Sequence, residues 1–226
     1  RVACDAHLTS PDWLDINADD AAALTIQITD QASSDPHALV LHPQVLAIGV
    51  GCERGCAAEE LTTLVRDTLA TANLAPGAVA CIVSLDLKSD EPAVHTLADA
   101  YHVPARFFDA ATLEAESPRL ATPSDVVFAE VGCHGVAEGA ALAAAGTDGA
   151  LIVSKQKSKR ATCAIARAPA PIQPTQTGKR RGRLSIVGIG PGQASWRTPE
   201  VTAWLAGVSD VVGYGLYLDL LGDLIA

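Results

Sequence analysis

The fold class is best predicted from an apolar run that passes directly into a glycine-rich turn: Val45-Leu46-Ala47-Ile48-Gly49-Val50-Gly51-Cys52-Glu53-Arg54-Gly55. Val45–Val50 is typical of a buried strand. The next segment, Ala57–Asn73, has apolar residues at the spacing of an amphipathic helix. A strand, a glycine turn and a helix in this order are typical of α/β folds, and the helix N-terminus beyond such a turn attracts anions.

Strands and helices continue to alternate up to residue 167. We predict strands at 79–83 and 105–108, helices at 91–101, 110–116 and 136–145, and a final hairpin of strands 150–153 and 162–166. Residues 126–130 fit either the end of a helix or a strand. The alternation predicts a three-layer, doubly wound α/β domain with a mostly parallel sheet, to which the hairpin adds an antiparallel edge.

The regions on either side of residues 45–167 have different patterns. Residues 1–44 are irregular, with Leu24–Ile28 as the clear strand candidate, and residues 168–182 have the composition of a Pro-rich linker. Residues 183–226 predict an incomplete β-α-β fragment, with strands from Leu184 and at Asp210–Val212 and a helix at Pro199–Leu205. Since residue 1 is not Met and the chain stops inside an apolar run, we expect a piece of a longer protein.

Composition narrows the class of protein. Hydrophobic residues make up 49% and charged residues 19%, as in a packed globular domain. The net charge of −10 argues against nucleic-acid binding, although nine of the 16 cations lie between Lys155 and Arg183 and allow a local anion site. We see no membrane-spanning run and no signal peptide, and we expect no membrane partner and a cytoplasmic location. Cys52 and Cys56 lack a matching second pair, so we predict no metal site.

Three loops carry the candidate functional side chains. The turn Gly49–Gly55 contains an arginine that can clamp a carboxylate, and Ser84–Glu91 combines a hydroxyl, a lysine and three carboxylates. Val131–Glu138 places a Cys-His pair between glycines, although adjacent residues do not by themselves form a nucleophile–base pair. A basic hairpin, Lys155–Arg160, suits an anionic ligand. Each of these elements can also be purely structural: a tight turn at 49–55, helix caps in the two loops, or a solvent-exposed hairpin turn at 155–160.

Together these motifs resemble the C-terminal domain of the cobalamin biosynthesis proteins CbiG and CobE. The resemblance rests on Gly-Val-Gly-Cys-Glu-Arg-Gly at 49–55, Ser-Leu-Asp-Leu-Lys-Ser-Asp-Glu at 84–91 and Val-Gly-Cys-His-Gly-Val-Ala-Glu at 131–138. It continues in Lys-Gln-Lys at 155–157 and Thr-Cys-Ala-Ile-Ala-Arg at 162–167. The residues before 45 look like the tail of the central part of CbiG.

From Arg183 onward the chain resembles the N-terminus of precorrin-3B C17-methyltransferases. The matching pieces are Leu-Ser-Ile-Val-Gly-Ile-Gly-Pro-Gly at 184–192, Arg-Thr-Pro at 197–199 and Asp-Val-Val-Gly-Tyr at 210–214. This resemblance implies that S-adenosylmethionine binds the glycine loop of the complete enzyme, at Gly188, Gly190, Pro191 and Gly192. We expect the short fragment to be inactive by itself.

The resemblance also implies a function. In this family, CbiG opens the ring-A lactone of cobalt-precorrin-5A and releases a two-carbon unit as acetaldehyde. The implied protein is a hydrolase-type domain of vitamin B12 synthesis, with a tetrapyrrole substrate, cobalt only as part of that substrate, and other enzymes of the pathway as partners. Two alternatives stay open: a non-catalytic carrier that delivers corrinoids to the methyltransferase, and a nucleotide-binding module unrelated to B12.

The candidate site residues follow from the loops and the resemblance together. Glu91 or Glu138 is predicted as the general acid/base, with Lys88 tuning it. We expect the three loops to meet in one cleft at the carboxyl ends of the strands. The predicted substrate-binding residues come from these loops and the basic hairpin: Gly49, Gly51, Glu53, Arg54, Ser84, Cys133, Gly135, Val136, Lys155 and Lys157.

Overall fold

A computed structural model describes residues 2–5, 8, 25–33, 35–182, 184–191, 193–208 and 210–224. The chain divides into two compact units, Arg1–Arg181 and Gly182–Ala226. Each unit is described by itself below. The predicted cofactor residue Gly192 and the first residue of the strand candidate, Leu24, lie outside the described residues.

The first unit begins with a small parallel sheet. Its strands are β1 (Val2–Cys4), β2 (Thr25–Ile28) and β3 (Ala38–Leu41), and β2 pairs with both neighbours. The strand candidate is therefore confirmed as β2, but the expectation of irregular structure is wrong at Val2–Cys4 and Ala38–Leu41. Strands of three and four residues are too short to show an alternating pattern in the sequence.

The main sheet of the first unit has five strands in the order β6-β5-β4-β8-β7. They are β4 (Leu46–Cys52), β5 (Val79–Leu85), β6 (Ala105–Phe108), β7 (Ala150–Lys157) and β8 (Ala161–Arg167). β4, β5 and β6 are parallel, whereas β8 is antiparallel to both β4 and β7. All seven residues of β5 are buried, as expected for a central strand covered on both faces.

Helices cover both faces of this sheet. They are α1 (Ala58–Thr71), α2 (Pro92–Ala100), α3 (Ala110–Ala115), α4 (Asp125–Val131) and α5 (Val136–Ala145). One apolar cluster packs α1 and α2 on the sheet, and a second packs α3 and α5 on the opposite face. The predicted three-layer fold with an antiparallel edge is confirmed. The ambiguous segment at 126–130 is helical, because Ser124 caps its start and Gly132 ends it in a left-handed conformation at φ 78°.

The close approach of α5 to β4 explains why a glycine occupies position 49. A Cβ atom on Gly49 would lie 1.9 Å from the carbonyl oxygen of Ala137 and 2.8 Å from the backbone nitrogen of Ala141. Any side chain at this position would force the helix off the sheet. Gly49 is therefore required for packing between layers.

Residues 168–181 are anchored on the first unit. The backbone N–H of Ile172 donates to Gln44 O at 2.9 Å, and Lys179 and Phe107 exchange two backbone hydrogen bonds of 2.7 and 2.8 Å. Gly178 adopts φ +56°, and a Cβ there would lie 2.9 Å from Phe107 O. The segment thus pairs with the edge strand β6 and covers part of its exposed backbone.

The second unit contains α6 (Pro199–Ala206) and α7 (Gly215–Asp219). The predicted helix is confirmed, with Thr198 accepting a hydrogen bond from Val201 N at 3.3 Å. The strands predicted from Leu184 and at Asp210–Val212 are not formed in the described part of this unit. A strand needs a neighbour for its backbone groups, and neither segment has one here.

Helix length and composition also bear on the membrane question. Within the described residues, no single helix is long and apolar enough to cross a membrane. α4 and α5 pass such a test only as a pair bent by 80°. Eight of the residues of α5 are buried in the core of the first unit.

Candidate functional site

The carboxyl ends of β4, β5 and β6 lie side by side along one edge of the main sheet. Residues 53–55, 86–91 and 109 follow these strands, and we call this group the rim. Open α/β sheets bind their ligands at this edge. The rim is therefore the first place to look for a site.

The turn after β4 is joined directly to the loop after β5. Arg54 Nη1 contacts Asp90 Oδ1 at 2.5 Å, and Arg54 Nη2 donates to the carbonyl oxygen of Leu87 at 2.7 Å. The side chains of Arg54 and Asp90 remain 58% and 60% exposed. The structure thus brings together two of the three predicted loops and leaves their charged groups accessible.

Arg160 holds the same turn from the other side. Its Nε donates to Glu53 Oε2 at 2.8 Å, and its terminal nitrogen donates to Arg54 O at 2.9 Å. The sequence predicts Arg160 only as part of a basic hairpin, because more than a hundred residues separate it from the turn. The predicted binding residue Glu53 is therefore paired with a cation of this chain.

Glu91 is the last residue of the second rim segment and is almost fully buried. Its carboxylate accepts the backbone N–H of Gly55, at 3.2 Å to Oε1 and 3.3 Å to Oε2. One shared donor leaves most of the lone pairs of the carboxylate available. Burial, reinforced by the charge of Glu91, raises the pKa of the nearby Cys52 thiol to about 11, so this cysteine is a neutral thiol at pH 7.

Lys88 ends the short 3-10 helix Asp86–Lys88 and is half-buried. Among the described residues, its ammonium group has no hydrogen bond or ion pair. A lysine that the fold leaves unpaired beside Arg54 favours a negatively charged ligand at this point of the rim.

Glu138, in the first turn of α5, is also buried but is fully engaged. Its carboxylate accepts from Ala121 N at 2.8 Å, Thr122 N at 3.0 Å, Thr122 Oγ1 at 2.9 Å and Lys155 N at 2.8 Å. Burial acts to raise the pKa of this carboxyl, but these hydrogen bonds outweigh burial and hold the pKa below its usual value. Glu138 therefore braces three segments, and this geometry does not favour its predicted acid/base role.

Several predicted substrate-binding residues are packing residues in the structure. Ser84 is buried and donates to Val50 O at 2.7 Å, and Cys133 is buried with a raised pKa caused by that burial. Gly49 and Gly51 lie under the start of α5, where Val136 packs against Gly51, and Gly135 lies against Leu120. Glycines after a strand serve close helix packing as readily as ligand approach, and the sequence does not separate the two uses.

The basic hairpin does not present its lysines as a pair. Lys155 Nζ donates to the carbonyl oxygen of Thr122 at 3.0 Å, on the side of α5. Lys157 is exposed and lines an open groove of about 980 Å³ between α1 and β7. Pairing between β7 and β8 is irregular between Val153 and Gln156, which breaks the simple alternation that put both lysines on one face.

Two cations of the anchored segment 168–181 reach the rim, which sequence analysis did not foresee. Lys179 Nζ lies 3.7 Å from Asp109 Oδ2. The pKa of Asp90 is lowered, first by its hydrogen bond with Arg54 and more weakly by the positive charge of Arg181. The rim therefore combines basic residues from three separate parts of the first unit.

A third group lies at the start of α5, where His134 contacts Glu114. The ring Nδ1 is 2.9 Å from Glu114 Oε1, and the backbone N–H of His134 donates to Glu114 Oε2 at 2.9 Å. The loop motif alone predicts no role for His134, because its partner Glu114 is 20 residues away in the chain. Among the described residues, no cluster of three or more His, Cys, Asp or Glu side chains is arranged to hold a metal ion.

Fold and site define a three-layer α/β domain with a charged rim at the carboxyl ends of its parallel strands. Residues 46–166 match the family model of the cobalamin synthesis G C-terminus. The chain belongs to this family, and its role is therefore in cobalamin biosynthesis.

The relatives support this membership. Protein CobE of Sinorhizobium sp is 54% identical over 121 residues, which cover 54% of this chain and 79% of that protein. The cobalt-precorrin-5A hydrolase of Priestia megaterium is 34% identical over 131 residues, which cover 58% of this chain but only 34% of the hydrolase. A solved structure of CobE, a protein from the cobalamin pathway, has a TM-score of 0.52 at 40% identity and covers 55% of this chain and 91% of that one.

A shorter similarity points to a second kind of protein. The cobalamin biosynthesis protein CobIJ of Mycobacterium bovis is 44% identical over 46 residues. This match covers 19% of the chain and 9% of CobIJ.

Proposed function

We propose that the first unit binds a corrinoid intermediate at the rim and opens its ring-A lactone, as a cobalt-precorrin-5A hydrolase-type domain acting in the cytoplasm. The observation that carries the proposal is the half-buried Lys88 next to the exposed Arg54, since no described residue pairs with this lysine. Corrinoid intermediates carry many carboxylates, and cations at a rim of this kind supply their counter-charges. Cobalt enters only as part of the substrate.

In this proposal Glu91 is the acid/base group of the rim. It is buried beside the turn 53–55, and its carboxylate accepts one backbone donor among the described residues, so it keeps the capacity to exchange a proton with a bound ligand. Lys88 lies in the same loop and tunes the charge around it. Glu138 lacks this capacity because four donors occupy its oxygens.

A non-catalytic carrier is the second candidate, and one observation favours it. Most of the glycine and cysteine positions first assigned to substrate contact are used for packing, which leaves a rim of charges and few other reactive groups. A carrier needs the cations but not the free carboxylate of Glu91. The two functions therefore differ in what they ask of Glu91.

We further propose that the second unit belongs to a methyltransferase, and the short similarity to CobIJ supports this. The described residues do not fit an S-adenosylmethionine site as they stand. No strand precedes the glycines in that part of the unit, and Leu184 and Ile186 are 88% and 91% exposed.

Turnover by the 226-residue chain separates the hydrolase from the carrier. Purified protein is incubated with cobalt-precorrin-5A, and the release of acetaldehyde and the mass of the corrinoid product are followed. The hydrolase predicts acetaldehyde release that falls in the Lys88→Ala variant and not in Arg66→Ala, which removes an exposed cation of α1 and serves as control. Corrinoid binding without any change in product mass would overturn the hydrolase in favour of the carrier.

A further inference from the structure

His134 is held in a single orientation by its surroundings. Both carboxylate oxygens of Glu114 lie near the ring Nδ1, at 2.9 and 3.0 Å, and Phe128 stacks on the ring with centroids 4.4 Å apart. Since a carboxylate is an acceptor, Nδ1 is the nitrogen that carries the proton. The hydrogen bond from His134 is also the main cause of the lowered pKa of Glu114.

The other ring nitrogen, Nε2, has no short hydrogen bond to another described residue. Nε2 lies 3.5 Å from Asp125 Oδ1, beyond a good hydrogen bond, and the side chain of Asp125 is fully exposed. Glu114 and Asp125 are the charged groups that face the ring in the described structure. An imidazole with one nitrogen held by a carboxylate, and with no short hydrogen bond from the other nitrogen to a described residue, is suited to general base catalysis.

The position of His134 connects it to the rim. Two residues further on, Val136 lies within 3.7 Å of where a Cβ on Gly51 would stand. Gly51 is near the carboxyl end of β4, and the turn 53–55 follows directly. The start of α5 therefore lies at the same edge of the sheet as the cations that we assign to carboxylate binding.

We propose that His134 is a catalytic residue of lactone opening and that Glu114 is its positioning residue; this inference rests on the proposed hydrolase function. Nε2 takes a proton from a water molecule as the water oxygen bonds to the lactone carbonyl carbon. When the ring C–O bond then breaks, Nε2 returns the proton to the departing oxygen. Water and lactone give a hydroxy acid, and the imidazole is regenerated.

This assignment divides the work between two groups. His134 opens the lactone, and Glu91 serves the proton transfer that accompanies loss of the two-carbon unit. A variant that lacks the imidazole should leave the lactone closed. A variant that lacks the Glu91 carboxylate should accumulate a ring-opened corrinoid that is heavier by one water.

The test compares single-turnover product masses from cobalt-precorrin-5A for the wild type, His134→Gln, Glu114→Gln and Glu114→Asp. We expect His134→Gln to slow ring opening by about a hundred-fold or more while it still binds the corrinoid. Glu114→Gln should slow it less and change its pH dependence, whereas Glu114→Asp should keep the wild-type profile. His102→Asn is the control, because His102 is exposed with φ 55°, a conformation that Asn adopts readily.

A second measurement covers variants that fold poorly. In the wild type with ¹⁵N-labelled histidine, addition of the corrinoid should shift the His134 Nε2 resonance and leave that of His102 unchanged. Ring opening at the wild-type rate by His134→Gln, or corrinoid binding with no change at Nε2, would overturn the role of His134. Neither result would contradict the proposed hydrolase function. A wild type that binds but never opens the lactone would overturn the hydrolase function, and the role of His134 with it.

Discussion

Glu91 and Glu138 look alike in the sequence and differ in the folded protein. Glu91 immediately precedes α2 and Glu138 is in the first turn of α5, and each residue is 2% exposed. Among the described residues, Glu91 shares a single backbone donor between its two oxygens, whereas Glu138 accepts four hydrogen bonds from two other segments. A buried carboxylate with few donors remains available for chemistry, whereas one surrounded by donors holds the fold together. The sequence motif around the residue does not separate these two cases.

The largest expected effect concerns Glu91. Replacement by Gln keeps the size of the side chain but removes the group that exchanges protons. Acetaldehyde release from cobalt-precorrin-5A should fall by about a hundred- to ten-thousand-fold, the usual contribution of a general acid/base. A rapid acetaldehyde assay on Glu91→Gln and Glu138→Gln in parallel checks this; equal losses in both would erase the distinction between the two carboxylates.

The next effect concerns the free energy of unfolding, where we expect Glu138 to matter more than Glu91. Glu138→Gln places an amide against donors that need an acceptor, and we expect a loss of about 2–4 kcal/mol in the free energy of unfolding. Glu91→Gln gives up one shared backbone donor and should cost less than about 1.5 kcal/mol. Urea unfolding of both variants at pH 7 measures the difference, and a more destabilised Glu91→Gln would contradict the comparison.

The stability that Glu138 contributes should also depend on pH. Because the folded-state pKa of Glu138 lies below its usual value, ionised Glu138 stabilises the fold above its unfolded-state pKa of about 4.3. That contribution is lost as the pH falls through the lower folded-state pKa. The stability gap between wild type and Glu138→Gln should therefore be full at pH 6 to 7 and shrink below about pH 4, as measured by urea unfolding across this range; a gap that stays constant would contradict it.

Much of the fold was predictable because its signals are local. The apolar runs of β4 and β5, the helical spacing of α1 and the cap at Asp109 can all be read within a few residues. The small sheet before residue 45 was largely missed, since its strands are only three or four residues long and depend on pairing with neighbouring strands. The strands expected in the second unit had local signals and no pairing partner.

The site was predictable only in outline. Parallel strands bring their carboxyl ends together, so the meeting of the turn 53–55 with the loop 84–91 followed from the fold class. Arg160 on Glu53, Glu114 on His134 and the cations after residue 178 depend on contacts between distant parts of the chain. No spacing within one sequence reports such contacts, and the same limit made packing glycines look like ligand contacts.

The smallest expected effect is also the most direct test of the central claim, that the cations of the rim bind the corrinoid. The chain offers a matched pair: Arg54 and Arg66 are both ion-paired with an aspartate and are 58% and 65% exposed, but Arg66 lies on α1, away from the rim. Visible absorption titrations with a corrinoid polycarboxylate, hydrogenobyrinic acid, would compare wild type, Arg54→Ala, Lys88→Ala and Arg66→Ala. We expect roughly five-fold or greater weakening for Arg54→Ala and Lys88→Ala, and wild-type affinity for Arg66→Ala. Equal affinities in all four proteins, or no binding by the wild type, would contradict the account.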